Sequence, residues 1–251
     1  MPNTGSTTAN QGNIAPKPTE SDCKKAEEGN KNGRTKVDSW KESKVERLQN
    51  KKDKLQENLD KITDAKAKEK TATRIARIDK LITGWQKKAD TVSTMMNCEG
   101  SPKTAYSSYQ SYLKNNKDDN FFAKGQPPKD RKGGTVLCEE PYNYAESASE
   151  TGNMMKGGHC EARSLYESMK DRNKGSPPCN LTFKIDWRNS DGNHSIPCPD
   201  CFRMMCHAKT NCNVEIYVCN DKNEPEKLEK EECENKQTGY RKFTNRVKGA
   251  D

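Results

Sequence analysis

The apolar positions of the chain fall into zones of different period. Residues 1–37 carry almost none. Asn, Thr, Gly, Ser, Pro and Lys dominate there, too little to offset the entropy of ordering, and the segment reads as a flexible linker, a disordered head. A linker at the very start points to something larger preceding it. Over residues 38–88 the spacing turns helical, with Val45, Leu48, Leu55, Leu59 and Ile62 recurring at three, four and seven. Asp38 or Ser39 is the expected cap, Glu42 completes a capping box, and Lys52 interrupts the seam. Ile75, Ile78, Leu81, Ile82 and Trp85 form a second pattern, with a break and cap at Thr63-Asp64. The spacing predicts a helical hairpin or short coiled coil over 38–95, acting as a spacer or as a docking surface.

From residue 96 onward the pattern is that of one compact domain, 96–251. Tyr106, Tyr109 and Leu113 fit one face of a helix, and Gly125–Gly134 is a loop whose Lys129, Arg131 and Lys132, with Phe121 and Phe122 nearby, suit contact with nucleic acid. Thr135–Cys138 reads as a short strand. Ala162, Leu165, Tyr166 and Met169 share a helical face. Leu181, Phe183, Ile185 and Trp187 alternate with polar residues, as a half-buried strand does. Residues 188–195 read as a loop, 197–209 as a helix and 213–219 as a strand. A charged loop or surface helix follows over 220–236, then a last short strand over 239–247. The order strand, helix, strand, helix, strand from Thr135 predicts an α/β layer with helices packed on the sheet.

Composition narrows this picture. Only 29% of the 251 residues are hydrophobic and 33% are charged, too little apolar material for one core along the whole length. The net charge of +8 favours encounter with polyanions such as nucleic acid. There is neither a membrane-length apolar run nor a secretory signal at the start, so no membrane partner is expected and export needs another route. Of the 11 cysteines, eight lie between Cys138 and Cys219. A disulfide framework and metal ligation with buried thiols are both open for most of them.

Two short motifs supply the chemistry. Gly157-Gly158-His159-Cys160-Glu161-Ala162 opens one helix and Pro197-Cys198-Pro199-Asp200-Cys201 opens the next. A catalytic zinc takes three protein ligands and leaves a fourth position for water. His159, Cys198 and Cys201 supply an imidazole and two thiolates, and helix N-termini favour the thiolate form. Zinc lowers the pKa of its water toward ~7. Glu161, two residues from the histidine, is placed to move the proton from water to the leaving amine. Gly157 and Gly158 allow a flat ring to approach the backbone. A closed structural site drawn from Cys198, Cys201, Cys206 or His207, and Cys212 competes with this reading. His194 reads as a loop residue and His207 as a surface residue.

His-x-Glu with Pro-Cys-x-x-Cys resembles the cytidine deaminase-like superfamily over about residues 135–219, and Gly158–Ala162 looks like its bacterial polymorphic-toxin branch. The resemblance implies a central sheet flanked by helices, Zn²⁺ on His159, Cys198 and Cys201, Glu161 as proton shuttle, and hydrolytic loss of an exocyclic amine. It also implies a secreted effector's toxin domain, acting in the cytoplasm of a target cell and neutralised by a cognate immunity protein. Cytosine in DNA is the favoured target, with adenine, RNA and free nucleosides open. The alternative is a non-enzymatic, zinc-stabilised nucleic-acid-binding or interaction module. Cys160, where the motif commonly has Ala, Val or Pro, is open as an extra ligand or disulfide partner.

Overall fold

A computed structural model describes residues 15–87, 90–106, 135–142, 159–169, 171–189 and 192–249. The elements run α1 (Glu20–Leu59), α2 (Ala65–Gln86), β1 (Asp90–Met96), β2 (Pro102–Tyr106), β3 (Thr135–Leu137), β4 (Glu140–Tyr142), α3 (Cys160–Met169), β5 (Cys179–Asn189), β6 (Gly192–His194), α4 (Pro199–Asn211), β7 (Val214–Cys219), β8 (Pro225–Lys227), α5 (Lys230–Glu234) and α6 (Lys236–Lys248).

The main sheet has the order β2-β1-β5-β7-β8, with β6 paired to β5, and β3–β4 forms a separate hairpin. Only β5 and β7 are parallel, with Leu181 opposite Ile216. The connection between them carries α4, as a parallel pair requires. Along β5, Leu181, Phe183 and Ile185 enter the main core with Ala162 and Leu165 of α3 and Phe202 and Met205 of α4. The alternate residues face α1: Asn30 Nδ2 donates to the Lys184 carbonyl at 2.9 Å, and Arg34 Nε donates to Asp186 Oδ2 at 3.0 Å. The result is a mixed α/β sheet with α1 on one face and α3 and α4 on the other, the coarse class expected.

The first helix begins well inside the segment expected to be a flexible linker. Thr19 caps it, its N–H donating to Asp22 Oδ2 at 2.9 Å. Cys23, Ala26, Asn30, Gly33, Arg34 and Val37 form its buried face. The spacing is helical, but the residues are small or polar and escape a search for large apolar side chains. Their size is what the contact needs: a Cβ on Gly33 would lie 2.8 Å from Val92 Cγ1, and one on Gly29 2.7 Å from Thr94. Asp38 and Ser39 lie within α1 and cap nothing.

A helical hairpin is present, but it runs from Glu20 to Gln86 rather than over 38–95, and residues 90–95 belong to strand β1 of the main sheet. Asp64 accepts from the Ala67 N–H at 2.7 Å as the cap of α2. Lys52, the break in the seam, pairs with Asp79 across the two helices at 2.7 Å. Trp40 and Trp85 meet edge-on at 5.4 Å. The hairpin is more than a spacer, since the first half of α1 covers the sheet.

Other expectations are corrected further on. Ala105 and Tyr106 belong to strand β2, not to a helix, because β1 pairs with them through Val92 and Ser93. Tyr109, Leu113, Phe121, Phe122, Lys129, Arg131 and Lys132 lie outside the described residues. The 188–195 loop contains β6, and 220–236 contains β8 and α5. Residues 239–247 form helix, not strand: Tyr240, Phe243 and Val247 stand at helical spacing, and Phe243 and Val247 are buried in the core.

Candidate metal centre

The two motif segments meet because α3 and α4 pack side by side on one face of the sheet with their first turns adjacent. His159 immediately precedes α3, and Cys198 is the N-cap of α4 with Pro199 at its first position. Proline fits there because its missing N–H has no helical partner to lose. One helical turn later, Cys201 returns to the same side, its N–H donating to Cys198 Sγ at 3.5 Å. His159 Nδ1 lies 3.3 Å from Cys198 Sγ and 3.4 Å from Cys201 Sγ. All three ligand atoms lie within 4.8 Å of one another.

Disulfide pairing separates these sulfurs from the rest. Cys23–Cys219, Cys98–Cys179, Cys138–Cys212 and Cys206–Cys233 are bonded. Cys160, Cys198 and Cys201 are the free thiols. A closed site using Cys206 or Cys212 is therefore overturned, because both sulfurs are in disulfides. Cys160 is buried and free, forms no disulfide, and does not join the ligand group. His207 stands on α4 beside Asn211, whose Nδ2 donates to the His207 carbonyl at 3.1 Å, and is also outside the group. His194 lies on β6 opposite Trp187, and Gly157 and Gly158 lie outside the described residues.

The electrostatics favour cation binding. A hydrogen bond from Cys201 is the largest influence on Cys198, and with help from His159 it outweighs burial to pull the thiol down to about 4. The same hydrogen bond, with burial, holds Cys201 well above the ordinary thiol value. Burial works to lower the His159 imidazole, but the adjacent Cys198 overrides it and the net shift is upward. Cys198 is thus held as a thiolate beside two further donors. An imidazole and two thiolates are nitrogen and sulfur donors of the kind zinc prefers. The residues present fit the ion, and their number leaves a coordination position open.

Glu161 occupies the first turn of α3 and is only 4% exposed. Burial, reinforced by the charge on Cys198, raises its carboxyl above the usual range. A buried carboxyl raised in this way keeps its proton more readily than an exposed one, which suits a group that takes up and passes on protons.

Tyr240 was not visible as a site residue, since its segment reads as a strand. It lies on α6, and its hydroxyl donates to the carbonyl of Pro197, the residue before Cys198, at 3.0 Å. Its ring meets Phe202 edge-on at 5.4 Å. It braces the turn that presents both thiols. No family model, curated protein or solved structure matches this chain.

Proposed function

We propose that the chain is a zinc-dependent hydrolytic deaminase of nucleobases, with cytosine in DNA as its favoured target. The observation that carries the reading is the convergence of His159, Cys198 and Cys201, the only other free thiol being Cys160, with buried Glu161 beside them. His159, Cys198 and Cys201 would hold the ion. When bound, zinc supplies Lewis acidity and makes a water molecule acidic enough to serve as nucleophile near pH ~7. Glu161 would accept a proton from the attacking water and pass it toward the departing amine. The balance is simple: the oxygen of water replaces nitrogen on the ring carbon, and the amine leaves as ammonia. Tyr240 keeps the Pro197–Cys201 turn fixed while this happens.

The wider setting belongs to the same proposal. Four disulfides suit a chain that matures in an oxidising compartment and survives outside a cell. That supports a secreted bacterial effector whose toxin domain acts in the cytoplasm of a target cell and is held in check by a cognate immunity protein. The net charge of +8 supports a polyanionic substrate.

Incubation with single-stranded DNA, duplex DNA and RNA, followed by sequencing, tests the reading. C-to-T conversion in a DNA pool is expected, and it should vanish in Glu161→Ala while the zinc remains. A-to-G conversion would move the target to adenine. No conversion in any pool, or undiminished conversion by Glu161→Ala, would overturn the assignment.

A further inference from the structure

Helix α2 carries a surplus of positive charge. Its six cations, Lys66, Lys68, Lys70, Arg74, Arg77 and Lys80, face only Glu69 and Asp79 as acids within the helix, and Asp79 is paired with Lys52 of α1. There is no acid in its first turn and no cation in its last. Lys66 and Lys68 sit at the positive end of the helix dipole, where the Asp64 cap is the acid that offsets them. Spacing compounds the surplus. Lys66 and Lys70, and Lys70 and Arg74, stand at i,i+4; Arg74 and Arg77, and Arg77 and Lys80, stand at i,i+3. Like charges at these steps face one another and repel. Helix α1 shows the ordinary arrangement, with Lys24–Glu20 and Lys31–Glu27 as i,i+4 ion pairs.

The cations also lie on one side. Ile75, Ile78 and Ile82 are the buried face of α2. At 3.6 residues per turn, Lys66, Lys70, Arg74, Arg77 and Lys80 fall within one exposed stripe away from it, roughly 21 Å long at about 1.5 Å per residue. Each strand of a DNA duplex carries a charge every ~3.4 Å along the axis, so about six phosphates of one such strand span that length. Helix α2 packs on α1, whereas the metal centre lies at the first turns of α3 and α4, so the stripe does not line it.

We propose that the exposed face of α2, formed by Lys66, Lys70, Arg74, Arg77 and Lys80, is a docking surface for the phosphate backbone of a nucleic-acid strand. It anchors a polymer at a distance from the chemistry, so repulsion within the free helix is relieved when phosphates arrive. The proposal rests on the nucleic-acid part of the reading above but not on deamination, because binding is measured without turnover.

The test is fluorescence anisotropy with a labelled single-stranded DNA of about 30 nucleotides, read across a salt series. Five contacts on a single strand contribute about 3.5 to the slope of log affinity against log salt. The variant with Lys66, Lys70, Arg74, Arg77 and Lys80 all changed to Gln should lose roughly three to four from that slope and more than tenfold in affinity at about 0.1 M salt. Gln keeps the helix propensity of Lys and Arg, and circular dichroism checks that the fold survives. If the fivefold variant fails to fold, Lys66→Gln/Lys70→Gln and Arg74→Gln/Arg77→Gln/Lys80→Gln share the same loss between them. A control removes the same charge elsewhere, from exposed Lys25, Lys222, Lys230, Lys242 and Lys248, and should retain most of the slope. Equal losses in the stripe and control variants would overturn the proposal. So would equally tight, stripe-dependent binding of polyglutamate, which would assign the face to an acidic protein. Failure of base conversion would leave this result unaffected.

Discussion

Cys198 and Cys201 come together with His159 because the starts of two packed helices meet. Pro199 starts α4, the first turn returns Cys201 to Cys198, and the start of α3 brings in His159. The grouping of these three residues was legible in the sequence from the spacing of the two motifs, although a thiol pair at a helix start also serves structural metal sites and thiol–disulfide exchange. The partner of Pro197 was not legible. Tyr240 lies far along the chain and reaches the site only because α6 packs beside α4. Tyr240→Phe removes the hydroxyl and keeps the ring against Phe202, so the main change should be a loosened Pro197–Cys201 turn. The expected result is weaker retention of zinc against a chelator at a stability cost of about 0.5–1.5 kcal/mol. Unchanged zinc retention in Tyr240→Phe would remove its positioning role.

Elements with large apolar residues in a clear period were readable, and those closed by small residues were not. Strand β5 is readable from Leu181, Phe183 and Ile185, and the α1–α2 turn from Asp64. The start of α1 is not, because its buried face is Cys23, Ala26, Asn30 and Gly33, none of which announces a core. The last helix was misread as strand because Tyr240, Phe243 and Val247 are aromatic or β-branched, and Gly239 suggested a break. Gly239 has another reason to be there. A Cβ at this position would lie 1.8 Å from the Glu232 carbonyl oxygen, so α5 and α6 can pack only over a bare backbone. Gly239→Ala should therefore push α5 and α6 apart and lower stability by roughly 1–3 kcal/mol in urea unfolding. A neutral substitution would mean that the two helices are not held this closely.

At the level of the whole molecule, the disulfides tie distant parts of a thinly apolar chain. Cys23–Cys219 fastens α1 to the end of β7 across a sequence separation of 196. Cys138–Cys212 and Cys206–Cys233 hold α4 at two points. Such pairings are not legible from sequence, since they depend on which elements the sheet brings together. Cys23→Ala/Cys219→Ala should cost about 2–4 kcal/mol while leaving His159, Cys198 and Cys201 in place. Thiol titration of the chain denatured without reductant should find three free thiols, those of Cys160, Cys198 and Cys201. A titration near eleven would remove the separation between locked and metal-binding sulfurs. The metal content of the purified chain, measured by mass spectrometry after zinc loading and desalting, is the most direct check on the centre itself. One zinc per chain is expected, retained in Glu161→Ala and lost in Cys198→Ser/Cys201→Ser. A chain that holds no zinc, or a double variant that keeps it in full, would contradict a metal centre on His159, Cys198 and Cys201.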